Sequence, residues 1–251
     1  MKRKYTWTRD SLDRRDQHYM VVHDPKLPAS QNLQPTCPPV YDQGELGSCT
    51  ANAIGACMEF DLKKAGHDVM LSRLFIYYNE RVLEHTVKSD AGGQIRDGIK
   101  GATKYGAPPE SEWPYSDADP GPFSTKPSAQ AYKDGLKHII TGYQRLPRTL
   151  ATFKTCLYQG YPFAFGFQVY ESFESDDVAK TGIVNLPAHH EELLGGHAVV
   201  AVGYDDVSQR FTVRNSWGTG WGQAGYFTMP YAYLLDTDLS DDFWTIRALK
   251  V

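Results

Sequence analysis

Long apolar runs are missing from this sequence of 251 residues. None approaches the roughly 20 residues that a membrane-spanning helix needs, and the basic start "MKRKYTWTRDSLDRRDQHY" lacks the apolar segment of a secretory signal. The expectation is a soluble chain that stays in the cytoplasm or leaves by a route without a recognisable signal. Cysteine is scarce too. Cys37, Cys49, Cys57 and Cys156 are the only four, and without a C-x-x-C pair they indicate neither a disulfide framework nor a structural zinc site. A reducing compartment fits that usage, although free thiols and a mutual disulfide both remain open for Cys37 and Cys156. Cationic excess is absent as well: the formal net charge of -4 gives no electrostatic case for nucleic acid or an anionic membrane as partner.

What the sequence does hold is apolar content of 41%, with 13% aromatic residues, enough to build a substantial core. Residues 1–26 are charged and weakly patterned, with a short apolar patch at Met20, Val21 and Val22, and read as an extension. The stretch "LPASQNLQPTCPPVYDQG" follows, rich in proline and turn formers, so it favours an extended surface path. The domain proper is placed at 27–251. Apolar or small residues from Cys49 to Ala65 predict a helix buried on most sides and stopped by Gly66. Further helices are expected around Ser72 to Glu84 and in "GQIRDGIKGATKYG", which ends at Gly106. Beyond them, "YPFAFGFQVY", "GGHAVVAVGYDD", "RFTVRNSWG" and "AGYFTMPYAYL" read as short β-rich runs. A helical lobe at about 40–118 thus precedes a β lobe at about 125–251. The fold class is α+β, with a cleft expected between the lobes.

Cys49 stands where a polar turn meets a helix, and free backbone N–H groups at a helix N-terminus lower a thiol's pKa. Nucleophilic cysteine chemistry also needs an imidazole, a group that orients it, and donors for an oxyanion. His197 opens one β-rich run and Asn215 closes the next. A hairpin register pairing Val199 with Asn215 puts His197 one diagonal step away on the same face, within reach of the Asn215 side-chain oxygen. Taken singly, each residue has a plainer reading: a buried small thiol, a satisfied core histidine, a strand-ending asparagine. "AHHEELLGGH" gathers His189, His190, Glu191 and His197, but its spacing matches no zinc pattern.

Three ordered blocks, "QGELGSC", "GGHAVVAVGY" and "RNSWGTGWGQAGYF", resemble those of papain-like cysteine peptidases, and "GSCTANA" is similar to a microbial branch of that family. The resemblance implies a two-lobe fold whose C-terminal lobe is antiparallel and β-barrel-like. It also implies a cysteine endopeptidase or close relative, acting on peptide or protein substrates through an acyl-enzyme and without a cofactor. Cys49 is then the nucleophile, His197 its proton partner, Asn215 the residue that orients His197, and Gln43 an oxyanion donor beside the backbone N–H of Cys49. Trp217 shields the His and Asn pair. Gly93 matches the glycine that pairs with an extended substrate, while Gln94 and Ile95 line the neighbouring pocket. A thiolate–imidazolium pair at rest is expected, with a bell-shaped pH dependence.

Two positions depart from the pattern. Thr50 replaces a usual aromatic residue, and Leu46 stands where many secreted members carry a disulfide cysteine. Two rival functions share these motifs: an acyl transferase or amidase, and an idle binding protein that keeps the cleft. For residues 1–26 two readings stand equally: an intramolecular cover over part of the cleft, or a disordered or lobe-bracing tail.

Overall fold

The computed structural model describes residues 3–20, 26–118 and 121–250; Val21 and Val22, two of the three residues of the apolar patch in the extension, lie outside them. Strand β1 (Ser30–Asn32) comes first, followed by α1 (Cys49–Lys64), α2 (Arg73–Leu83) and α3 (Ile95–Tyr105). Then come α4 (Ala129–Gly135), β2 (Ile140–Arg145), α5 (Leu150–Tyr158), β3 (Phe163–Tyr170) and α6 (Asp176–Thr181). The chain closes with β4 (Leu193–Asp205), β5 (Arg210–Arg214), β6 (Tyr226–Pro230), α7 (Tyr231–Leu235) and β7 (Ser240–Leu249).

Helix α1 is the axis of the molecule. Thirteen of its sixteen residues are buried, which is why it is built from alanine, glycine and a few large apolar side chains rather than from a single apolar stripe. Caps fix the helices around it: Ser72 accepts the Phe75 N–H to start α2, and Thr149 accepts the Thr152 N–H to start α5. Gly106 ends α3 at φ 65°, where a Cβ would lie 1.8 Å from the Gly135 carbonyl. Only glycine fits that crossing.

The sheet is antiparallel and runs β2-β7-β3-β4-β5-β6, with β1 added beside β4. Its core side holds a cluster of phenylalanines, Phe153, Phe163, Phe165, Phe211 and Phe243, with ring centroids 4.5–6.3 Å apart. Arg214 donates to the carbonyls of Pro38 (2.6 Å) and Pro39 (2.5 Å) and so pins the proline-rich stretch to β5. One expected β run divides: "AGYFTMPYAYL" is β6 followed by the short α7. Pro230 has no N–H with which to continue the ladder, and it caps the helix instead.

Several carboxyls are buried without full compensation. Burial pushes Glu59 up to about 7 against the amide of Leu71 and the arginines Arg214 and Arg73. Asp242 rises to about 8 through burial and then through the neighbouring Asp10 carboxylate. The folded protein holds these protons more tightly than the unfolded chain does, so stability falls as pH rises through the raised values. Burial holds His197 down to about 4, and its opposing effect ends near pH 6.5. Between pH 6.5 and 8 only the loss remains, shared by Glu59, Asp242 and the other carboxyls that burial raises, Asp61 and Glu84. The thermal unfolding midpoint is expected to fall by several degrees across that interval, and a flat or rising midpoint would contradict it.

Candidate active site

The turn before α1 delivers Cys49. Gly44 sits at φ 58° and donates its N–H to Asp42 Oδ1 at 2.9 Å, while the Gly47 N–H meets both Asp90 oxygens at 3.0 and 3.1 Å. Ser48 does not cap the helix with its side chain; its hydroxyl pairs with the Tyr115 hydroxyl at 2.5 Å. The first amides of α1 are therefore left for the thiol. The Cys49 sulfur lies against the amides of Ala198, Thr50 and Cys49 itself, each of which favours thiolate.

His197 arrives on β4, opposite Phe167 on β3, and β5 pairs with β4 at Val200–Arg214 and Ala201–Val213. One further step sets Val199 opposite Asn215, the register expected from side-chain parity. The imidazole Nε2–H donates to Asn215 Oδ1 at 2.9 Å, and the Ser216 N–H also donates to that oxygen at 2.8 Å. This second donor identifies the atom as the amide oxygen. The tautomer follows: Nε2 carries the proton, and Nδ1, buried with no hydrogen-bond partner, keeps a free lone pair. Trp217 stacks on the ring at 5.0 Å and 29°.

Gln43 links the two sides of the cleft. Its Nε2 donates to the Leu46 carbonyl at 3.0 Å, its Oε1 accepts the Ser216 hydroxyl at 2.5 Å, and its backbone N–H reaches the Ser216 carbonyl at 2.8 Å. One amide N–H of its side chain is left to point elsewhere.

Residues 3–11 run through this cleft. The Trp7 N–H donates to the Gly196 carbonyl at 2.9 Å and the Thr8 N–H to the Gly93 carbonyl at 3.3 Å, both within short parallel bridges. The Thr6 hydroxyl donates to the Gly47 carbonyl at 2.8 Å. Trp7 is 4% exposed, and a Cβ on Gly166 would fall 1.9 Å from its indole. Tyr5 sits 6.3 Å from the rings of both His197 and Trp217, and the Arg3 guanidinium lies 3.8 Å over Trp217. Farther along, the Asp10 N–H donates to Asp242 and the Asp10 carboxyl accepts from Trp244 Nε1, both at 2.7 Å.

Burial under this segment and the two lobes pushes the Cys49 thiol up to about 12 and holds His197 down to about 4, with Arg3 adding to the latter. The covered site therefore holds a neutral thiol and a neutral imidazole. This differs from the expected resting ion pair, because water is excluded and the helix amides do not offset the loss of hydration.

The other expected site residues fall as follows. Gly93 is on the cleft wall against Trp7, and the Gln94 Oε1 accepts the Ser11 N–H at 3.3 Å. Ile95 is buried at the start of α3. All four cysteines are unpaired. Thr50 turns its hydroxyl inward to Glu80 Oε1 at 2.6 Å, and burial holds that fully enclosed carboxyl well above the ordinary range. Glu80 and Asp90 were not singled out from the sequence; α2 brings Glu80 beneath Thr50, and the segment after it, which also carries Gly93, brings Asp90 to the Gly47 amide.

The chain is similar to proteins of known family and structure. The family model described as "Papain family cysteine protease" matches residues 27–235. A peptidase C1-like protein of Acanthamoeba polyphaga mimivirus is 47% identical over 216 residues, covering 82% of this chain and 68% of that one. Cysteine proteinase 2 of Entamoeba histolytica is 31% identical over 208 residues, 76% of this chain and 59% of its own length. Among solved structures, xylellain, a cysteine protease from Xylella fastidiosa, superposes with a TM-score of 0.93 at 44% identity, over 99% of this chain and 98% of that one.

Proposed function

This chain belongs to the papain family of cysteine proteases, and we propose that it hydrolyses peptide bonds through Cys49, His197 and Asn215. The observation that carries the reading is the fixed tautomer of His197: Nε2 is committed to Asn215 and the lone pair on Nδ1 is free, while the Cys49 sulfur, at a helix start, lies against the backbone amide of the next residue, Ala198. His197 takes the thiol proton as Cys49 sulfur attacks the substrate carbonyl. The oxyanion is met by the Cys49 backbone N–H and the remaining N–H of the Gln43 side chain. His197 then gives its proton to the leaving amine, and water, deprotonated by the same nitrogen, releases the acyl group from sulfur. No cofactor enters these steps. Gly93 supplies backbone pairing to an extended peptide, with Gln94 and Ile95 beside it and Trp217 keeping water from the imidazole.

Residues 27–251 form the peptidase body in this reading, and residues 1–26 are its intramolecular cover. Support for the cover comes from the bonds of Trp7 and Thr8 to Gly196 and Gly93, which occupy the backbone groups a substrate would need.

A small peptidyl epoxide tests the assignment directly. With Trp7→Ala to loosen the cover, stoichiometric labelling is expected at Cys49 alone, at least 100-fold faster than in the same variant carrying His197→Ala. Labelling spread over Cys37, Cys57 and Cys156, or indifferent to His197, would overturn it.

A further inference from the structure

Asp90 is an acid at the cleft that the proposed reaction does not use. Its side chain is only 7% exposed, yet one of its oxygens holds the Lys4 ammonium at 2.7 Å. The rest of the carboxylate is fixed by protein: the Gly47 N–H donates to it, the Tyr77 hydroxyl donates to Oδ1, and that hydroxyl in turn accepts the Gly92 N–H at 3.1 Å. Asp90 is thus locked between the turn that carries Cys49 and the wall that carries Gly93. Burial and the Asp90 charge raise the Tyr77 hydroxyl well above its ordinary pKa, so it stays a donor. The nearby Arg81 guanidinium does not supply a counter-ion contact, because its nitrogens donate to the carbonyls of Tyr77, Val87, Ser89 and Phe123.

We propose that Asp90 is a specificity-determining residue, whose carboxylate receives the cationic side chain of a lysine- or arginine-containing peptide at the place Lys4 holds in the covered cleft. This rests on the peptidase reading above. When residues 3–11 leave, the ammonium leaves with them, and a rigid, mostly desolvated carboxylate faces the cleft two residues' reach from Cys49. A charge-assisted contact there favours a basic side chain and repels an acidic one. Lys4 marks the position because the neighbouring Thr6 and Trp7 already follow the substrate wall at Gly47, Gly93 and Gly196.

The test uses the full chain and fluorogenic peptides in which lysine, norleucine or glutamate is placed at each position around the scissile bond in turn. At one position kcat/KM for lysine should exceed that for norleucine by about 10-fold or more, with glutamate poorer than either, and the preference should shrink as salt rises. Asp90→Asn, which keeps the acceptor for the Gly47 N–H, should bring the lysine-to-norleucine ratio close to one. Loosening of the cover cancels in that ratio. Cleavage with no lysine preference at any position, or a preference that Asp90→Asn leaves intact, would overturn the assignment of Asp90 alone. Absence of cleavage together with absence of Cys49 labelling, both in the Trp7→Ala chain whose cover is loosened, would instead overturn the peptidase reading on which it stands.

Discussion

Cys49→Ala is expected to lower kcat/KM for peptide hydrolysis by a factor on the order of 10⁴ or more, leaving only what binding and the oxyanion donors supply. The size follows from the roles. Without sulfur there is no acyl-enzyme, and the His197 lone pair has no proton to take. Adding His197→Ala should cost little more, because the two groups act as one unit and their effects do not add. The fold should survive the change: Cys49 is fully buried, but alanine removes a single atom from the start of a helix that already holds Ala51, Ala53 and Ala56. Steady-state rates with an unfolding midpoint on the same sample separate lost chemistry from lost structure. Hydrolysis undiminished in Cys49→Ala would place the activity elsewhere.

How far the sequence reached this site depends on the kind of interaction involved. Helix α1 was legible because small or apolar residues fill most of Cys49 to Leu62, and the His197–Asn215 contact was legible because strand pairing has a period of two and a one-residue slip would have turned Val199 and Val213 apart. Local rules stop where the fold brings distant segments together. The sheet register slips between Ala201 and Gly203, which nothing in "HAVVAVGYDD" announces. Gly166, Gly195 and Gly196 read as ordinary strand glycines; only in the folded chain are they the floor cleared for Trp7 and Tyr5. β7 escaped notice because its first residues, Ser240 to Asp242, are polar, and their burial is tolerated through partners as remote as Asp10 and Arg145. The neutral state of Cys49 and His197 was out of reach for the same reason, since it depends on how much water residues 3–11 exclude.

Those residues set the second large effect. Trp7→Ala is expected to raise kcat/KM on a long peptide substrate by about 10²-fold. Truncating a buried tryptophan costs about 3 kcal/mol or more, and here that loss falls on the covered state alone, because the uncovered chain leaves the indole in water. A shift of that size multiplies a small uncovered population by roughly 150, and the apparent affinity for substrate rises with the competent fraction. Deleting residues 1–19 should reach at least the same level if the body tolerates exposure of the Gly166 floor and of Asp242, which loses its Asp10 N–H. A midpoint of unfolding measured alongside distinguishes a destabilised body from an absent cover. A synthetic peptide of residues 3–17, added to the truncated protein, should then inhibit competitively. Hydration of the freed cleft should also let Cys49 and His197 exchange their proton, so thiol alkylation in Trp7→Ala should acquire a bell-shaped pH dependence. In the covered protein alkylation should stay slow near neutral pH and quicken only as pH climbs toward the raised thiol value. Unchanged rates in both the point variant and the truncated chain would assign residues 3–11 to bracing the two lobes, with the cleft open to substrate by some other path.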